Sequence, residues 1–231
     1  MKSGSAQLAG RGFLPDGDER LFKADAEDDL LRLLDRGNPV ERTAAVRLLS
    51  QKDAKRHLHR FCAMLAAEKK LYTKLELCEA IDSCGESAIG PLAELLGRIG
   101  TNQHKTPVNA DLGKKSFPLP RDIAARILIR LGPPVLPAME RILCVGDASR
   151  QSEAIDVIGH VAWTSGDTRS ERILLDLYAS TASDLIRWKI VRAMRSFRSN
   201  ESVELLKRVR ECGDTVMQNE ATRSLELREK K

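Results

Sequence analysis

Val40-Glu41-Arg42-Thr43-Ala44-Ala45-Val46-Arg47-Leu48-Leu49 decides the fold, because its apolar residues recur at helical spacing and the chain then repeats the pattern. Around it, residues 39–52 can be laid over 72–85, 119–132, 146–159, 185–198 and 216–229. One column of that overlay holds Leu48, Ile81, Leu128, Ile155, Met194 and Leu225, all large and apolar. Four positions earlier stand Ala44, Leu77, Ala124, Gln151, Ile190 and Ala221, and the i, i+4 spacing puts both columns on one helix face. Gly85, Gly132 and Gly159 end three of the segments, where helix C-terminal caps are expected.

A second amphipathic stretch follows these helices, at 87–98, 134–144, 170–178 and 202–212, with an earlier one at 57–65. The unit is therefore helix, turn, helix, with steps of 27 to 47 residues, a period that predicts stacked helix pairs. Composition agrees. Aromatic residues are 4% of the 231 positions while 42% are hydrophobic, mostly aliphatic, which suits helices packing on helices better than a β-sandwich.

Residues 40–49 resemble the second-helix signature of HEAT-like repeats, as do Ile186-Arg187 through Arg192-Ala193-Met194. Gly132-Pro133-Pro134-Val135-Leu136-Pro137 and Ser87-Ala88-Ile89-Gly90-Pro91-Leu92 are similar to the turn and first helix of such a unit, of the subclass first described in phycobilisome lyases. The resemblance covers about 200 residues and implies an all-α chain, a right-handed α-solenoid of about six HEAT-like helix pairs with the second helices lining a concave face. It implies a surface for binding and is nearly silent on chemistry.

Equivalent positions in successive repeats stand side by side, so the register predicts an inter-repeat charge ladder. Its steps are Glu79/Arg126, Arg126/Glu153, Glu153/Arg192 and Asp156/Arg195, each an exposed pair contributing up to about 1 kcal/mol. The net charge of +5 is mild and permits nucleic-acid contact without demanding it. Its bias gathers between Arg187 and Arg210, where Trp188, Arg192 and Arg195 share a helical face opposite Ile186, Ile190, Ala193 and Phe197. A tryptophan beside arginines is the composition of a binding hot spot or a base-stacking platform, or of a side chain packed on the next repeat. Arg187, Trp188, Arg192 and Arg195 are the binding candidates, joined by Lys114 and Lys115.

Those two lysines lie in the irregular stretch 101–120, a polar insertion with three prolines that reads either as a recognition loop or as a passive insertion. Residues 1–28 also stand outside the repeat, and the remainder, 29–231, is read as one solenoid. Asp16, Asp18, Glu19, Asp25, Glu27 and Asp28 make this arm acidic, so it reads as a partly ordered extension or as a competitor for the basic C-terminal repeats.

No catalytic signature accompanies the repeat. The chain has neither Gly-x-Ser-x-Gly nor His-Glu-x-x-His, and Gly113-Lys114-Lys115 is not a phosphate-binding loop. None of His57, His59, His104 and His160 precedes a glutamate, as the iron-holding histidines of HEAT-like deoxyhypusine hydroxylases do. The aromatic supply is thin for a repeat-fold DNA glycosylase. Cys62, Cys78, Cys84, Cys144 and Cys212 form no C-x-x-C pair, so neither a metal nor any other cofactor is expected. With no signal-peptide or membrane run, the expectation is a cytoplasmic, monomeric, non-catalytic scaffold that binds an acidic segment of a protein partner. The alternative is nucleic-acid binding through the same basic repeats, including a repair-related role.

Overall fold

A computed structural model describes residues 4–22, 26–109 and 116–229. These are all-α, with no strand among them. The α-helices are α1 (Ser5–Ala9), α2 (Glu27–Arg36), α3 (Pro39–Ala67), α4 (Leu71–Asp82), α5 (Ile89–Leu95) and α6 (Ile123–Leu131). They continue as α7 (Leu136–Val145), α8 (Ala148–Ser165), α9 (Glu171–Ser180), α10 (Asp184–Ala193), α11 (Asn200–Cys212) and α12 (Thr215–Glu229). Residues 1–91 and 92–231 form two compact units, the division falling within α5.

In the first unit α2 packs on α3, and α3 on α4. The start of α3 is fixed by a capping box: Asn38 Oδ1 accepts from the Glu41 amide at 3.1 Å while Glu41 Oε2 accepts from the Asn38 amide at 2.6 Å. Asp53 interrupts the helix with extended backbone (φ −162°, ψ 90°), and its carboxylate accepts the Arg56 amide at 3.2 Å, capping the second half. The expected helices at 39–52 and 57–65 are thus the two halves of one bent element.

The described part of the acidic arm is docked on α3 and α4 rather than held out for the basic repeats. Thr43 Oγ1 donates to the Gly12 carbonyl at 2.8 Å, the Tyr72 amide to the Arg11 carbonyl at 3.0 Å, and Arg47 Nη1 to the Pro15 carbonyl at 3.0 Å. Gly12 has φ 85° and a Cβ there would collide with the Thr73 hydroxyl, so only glycine allows this approach. Arg47 draws in the acids, lying 3.5 Å from both Asp16 and Glu19.

In the second unit α7 packs on α8, α9 on α10 and α11 on α12, while α6, α8, α10 and α12 are successive neighbours. This is the helix-pair repeat that the periodicity predicts. Leu128, Ile155 and Met194 from the large column and Ala124, Ile190 and Ala221 from the small one are completely buried. Gly132 does cap α6, with φ 72°. Gly159 does not end its helix. It lies mid-α8, and a Cβ would come within 2.9 Å of Ala193 Cβ and 2.8 Å of Phe117 Cζ. The missing side chain is what lets α8 and α10 approach so closely. Among the described residues, no helix is long and apolar enough to cross a membrane.

A buried ion network beside an arginine-lined cleft

Close approach of α8 and α10 brings their charged residues together inside the protein. Arg192 Nη2 lies 2.5 Å from Asp156 Oδ1, and Lys189 donates to the other Asp156 oxygen and sits 3.4 Å from Glu153 Oε1. On the far side of α10, Arg195 Nη2 reaches Glu220 Oε1 of α12 at 2.7 Å, and Arg223 Nη1 meets the same oxygen at 3.3 Å. Each of these seven side chains is at least nine-tenths buried.

Two expectations are corrected here. The ladder exists in this unit, but it is buried rather than exposed, and its register differs by about one helical turn. Asp156 pairs with Arg192 and Lys189 instead of Arg195, and Glu153 with Lys189 instead of Arg192 or Arg126. The reason is the α8–α10 contact. Gly159 sits against Ala193 and its carbonyl accepts from Ser196 Oγ at 2.7 Å, whereas the overlay would set it opposite Arg198.

Trp188 is not an exposed platform: it is 1% accessible. Arg192 and Arg195 are likewise buried, since α10 is enclosed by α8, α9, α12 and part of the 101–120 stretch. His104 stands edge-on to the Trp188 indole at 5.0 Å while Arg192 lies over its face at 4.7 Å. Phe117 is buried against His160, Trp163 and the Arg195 guanidinium. Within that stretch His104 and Phe117 pack against the helices, while Val108 and Leu119 are exposed. Lys114 and Lys115 lie outside the described residues. Arg187 is half-buried and faces elsewhere, lining a separate cleft with Tyr178, Glu201, Glu204 and Arg208. The four described candidates therefore do not make one site.

What the second unit does present is a cleft of about 620 Å³ over the network. Arg121, Arg126, Arg192 and Arg223 line it with Trp188 and His104, and no carboxylate among the described residues does. Arg121 and Arg126 are exposed, each hydrogen-bonded to a backbone carbonyl and to no carboxylate among the described residues. The sequence reading assigned Arg126 to the ladder and missed Arg121 and His104, which stand in a polar stretch with no periodicity. Lys189 did carry a signal, since it falls three residues from Ile186 inside the apolar run of α10, where a cation implies a buried partner.

Burial foremost, then Asp156 and Asp122, raise Glu153 to about 7 against the pull of Lys189. Burial would raise Asp156 too, but Arg192 and Lys189 outweigh it and hold that carboxyl down to about 2. Burial and the cations Lys189, Arg192 and Arg121 push His104 down to about 3. The signs oppose. The native state keeps a Glu153 proton that the unfolded chain releases near 4.5, so this term loses stability as pH rises from 4.5 to about 7. His104 stays neutral in the native state while the unfolded chain protonates below 6.5, so its term is lost as pH falls from 6.5 toward 3. Glu153→Gln removes the first term. Its urea-unfolding stability is expected to fall more steeply than the wild type between pH 6.5 and 4.5, and parallel profiles would contradict the assignment.

No protein-family model matches the chain, and no curated protein matches it. Among the solved structures similar to it are two crystal structures of engineered proteins from the Northeast Structural Genomics Consortium. One is 17% identical, covering 90% of this chain and 98% of its own, with a TM-score of 0.41. The other is 16% identical, covering 96% of this chain and 62% of its own, with a TM-score of 0.39. At so low an overlap, neither carries an argument about function.

Proposed function

We propose that this chain is a non-catalytic, HEAT-like binding module, cytoplasmic and monomeric, that recognises an acidic segment of a protein partner in the arginine-lined cleft. The observation that supports this reading is the cleft's one-sided charge: four arginines and, among the described residues, no carboxylate in its lining. A volume of about 620 Å³ suits a few side chains rather than a duplex. Nucleic acid is disfavoured by the burial of Trp188, which leaves no indole face on which a base could stack.

Arg126→Glu is the direct test, because Arg126 is exposed and its substitution leaves the core untouched. Anisotropy of a fluorescein-labelled glutamate-rich peptide is expected to show affinity about 10- to 100-fold weaker for the variant, the loss of charge-assisted hydrogen bonds. Unfolding stability should stay within about 0.5 kcal/mol of the wild type. Unchanged peptide affinity in Arg126→Glu, with affinity lost in Arg187→Glu, would move the site to the other cleft. Stronger binding of single-stranded DNA than of the peptide, steeply weakened by salt, would favour the nucleic-acid alternative.

A further inference from the structure

The first unit carries a groove of about 620 Å³ where the C-terminal turn of α2 meets the second half of α3 and the turn that follows it. Leu34 and Met64 form its floor, with Ala63 and Ala67 beside them. Leu34 is 2% accessible and Met64 half-buried, while both alanines are exposed. The preceding turns of the same helix face expose Lys55, Arg56, His59 and Arg60, so charge gives way to small apolar side chains at the groove.

The rim is basic. Four cations, Arg42, Arg60, Lys69 and Lys70, line the groove with two carboxylates, Asp35 and Glu68. Both carboxylates are already engaged. Arg60 donates to Asp35, and Arg42 holds Glu68 in two hydrogen bonds of 2.9 and 3.2 Å. Glu68 Oε1 also accepts the Lys69 and Lys70 amides at 2.8 and 2.7 Å, which fixes the turn carrying the two lysines. Burial would raise the Glu68 carboxyl, but Arg42 and those amides outweigh it and hold it below its ordinary value. Both lysine side chains are exposed, and neither meets a carboxylate among the described residues. Residues 1–3 hold no acidic side chain, and 23–25 precede the opposite end of α2, where Glu27 meets Arg56.

We infer that this groove is a second docking site, for a peptide segment that sets an apolar side chain between α2 and α3 and its carboxylates against Lys69 and Lys70. The partner's charge follows from the lining, two cations in excess, and its apolar residue from the uncovered floor. A nucleic-acid duplex would bring phosphates but nothing to cover Leu34 and Met64. A membrane surface is gripped by bulky apolar side chains that project, whereas this apolar surface is concave. The inference is independent of the arginine-lined cleft, whose residues belong to the other unit.

Two fluorescein-labelled peptides test it: glutamates flanking a central leucine pair, and the same peptide with a serine pair. The full chain carrying Arg126→Glu is used, so that the arginine-lined cleft does not contribute. Anisotropy is expected to show the leucine peptide binding about tenfold tighter than the serine peptide, the gain from burying its apolar side chains. Adding Lys69→Glu and Lys70→Glu should weaken the leucine peptide by at least about tenfold. Adding Ala63→Glu instead, at an exposed helical position, should remove the leucine preference in protein whose folding is verified by circular dichroism. Equal affinity for the two peptides, or affinity for neither, overturns the inference and leaves the reading of the arginine-lined cleft untouched. A leucine preference that survives Ala63→Glu overturns it as well. Binding to phosphatidylglycerol vesicles that is lost with the two lysines, without affinity for the leucine peptide, overturns the peptide in favour of a membrane surface.

Discussion

Replacing Asp156 by alanine is expected to cost the native state about 3–5 kcal/mol, the range for removing one partner of a buried ion pair. Asp156 is 2% accessible and is the shared acceptor of Lys189 and Arg192. Without it two cations stay in the core with only Glu153 nearby, a carboxyl that burial already raises to about 7. Domains are stable by only about 5–15 kcal/mol, so much of the total is at stake. Urea unfolding should show a lower midpoint with an unchanged slope. Asp156→Asn should fare little better, since it keeps the shape and still strands the charges. A loss below about 1 kcal/mol would mean a solvent-exposed pair, which is what the sequence alone suggests.

Trp188→Ala is the second large effect, with an expected loss of about 3–5 kcal/mol from the cavity and the lost contacts. The indole is the largest of the fully buried side chains, held between His104 at its edge and Arg192 on its face. The check is again urea unfolding, beside Trp163→Ala as a comparison. A variant as stable as the wild type that had lost only ligand affinity would show Trp188 to be a surface hot spot.

Both effects come from features half-legible in the sequence. The helix pairs could be read because Ala44, Ile81, Leu128 and Ile190 recur at one spacing, and burial of a periodic stripe is how these helices gain stability. The break at Asp53 falls between the stripes at 39–52 and 57–65, but that the two form one bent helix was not legible. Charge depth was not legible. Arg192, Arg195 and Glu220 look like solvated residues, because a charged side chain is usually outside. What reverses that prior is the enclosure of α10 by its neighbours and by His104 from a polar stretch remote in sequence. The overlay also could not see that Gly159 is a contact rather than a cap. That one residue sets which charges meet across α8 and α10. Hence the ladder could be foreseen in kind, but its partners could not. Arg126 was credited to the ladder, and only the observed register sets it free for a ligand.

The cleft claim is tested most directly by the indole N–H resonance of Trp188. The chain has two tryptophans, so Trp163→Phe assigns the signal in a nitrogen-15-labelled sample. Titrating the glutamate-rich peptide is expected to shift that resonance saturably, because the indole lines the cleft, and Arg126→Gln should weaken the response. A Trp188 resonance that stays fixed at saturating peptide, while signals around Arg187 move, would contradict the account.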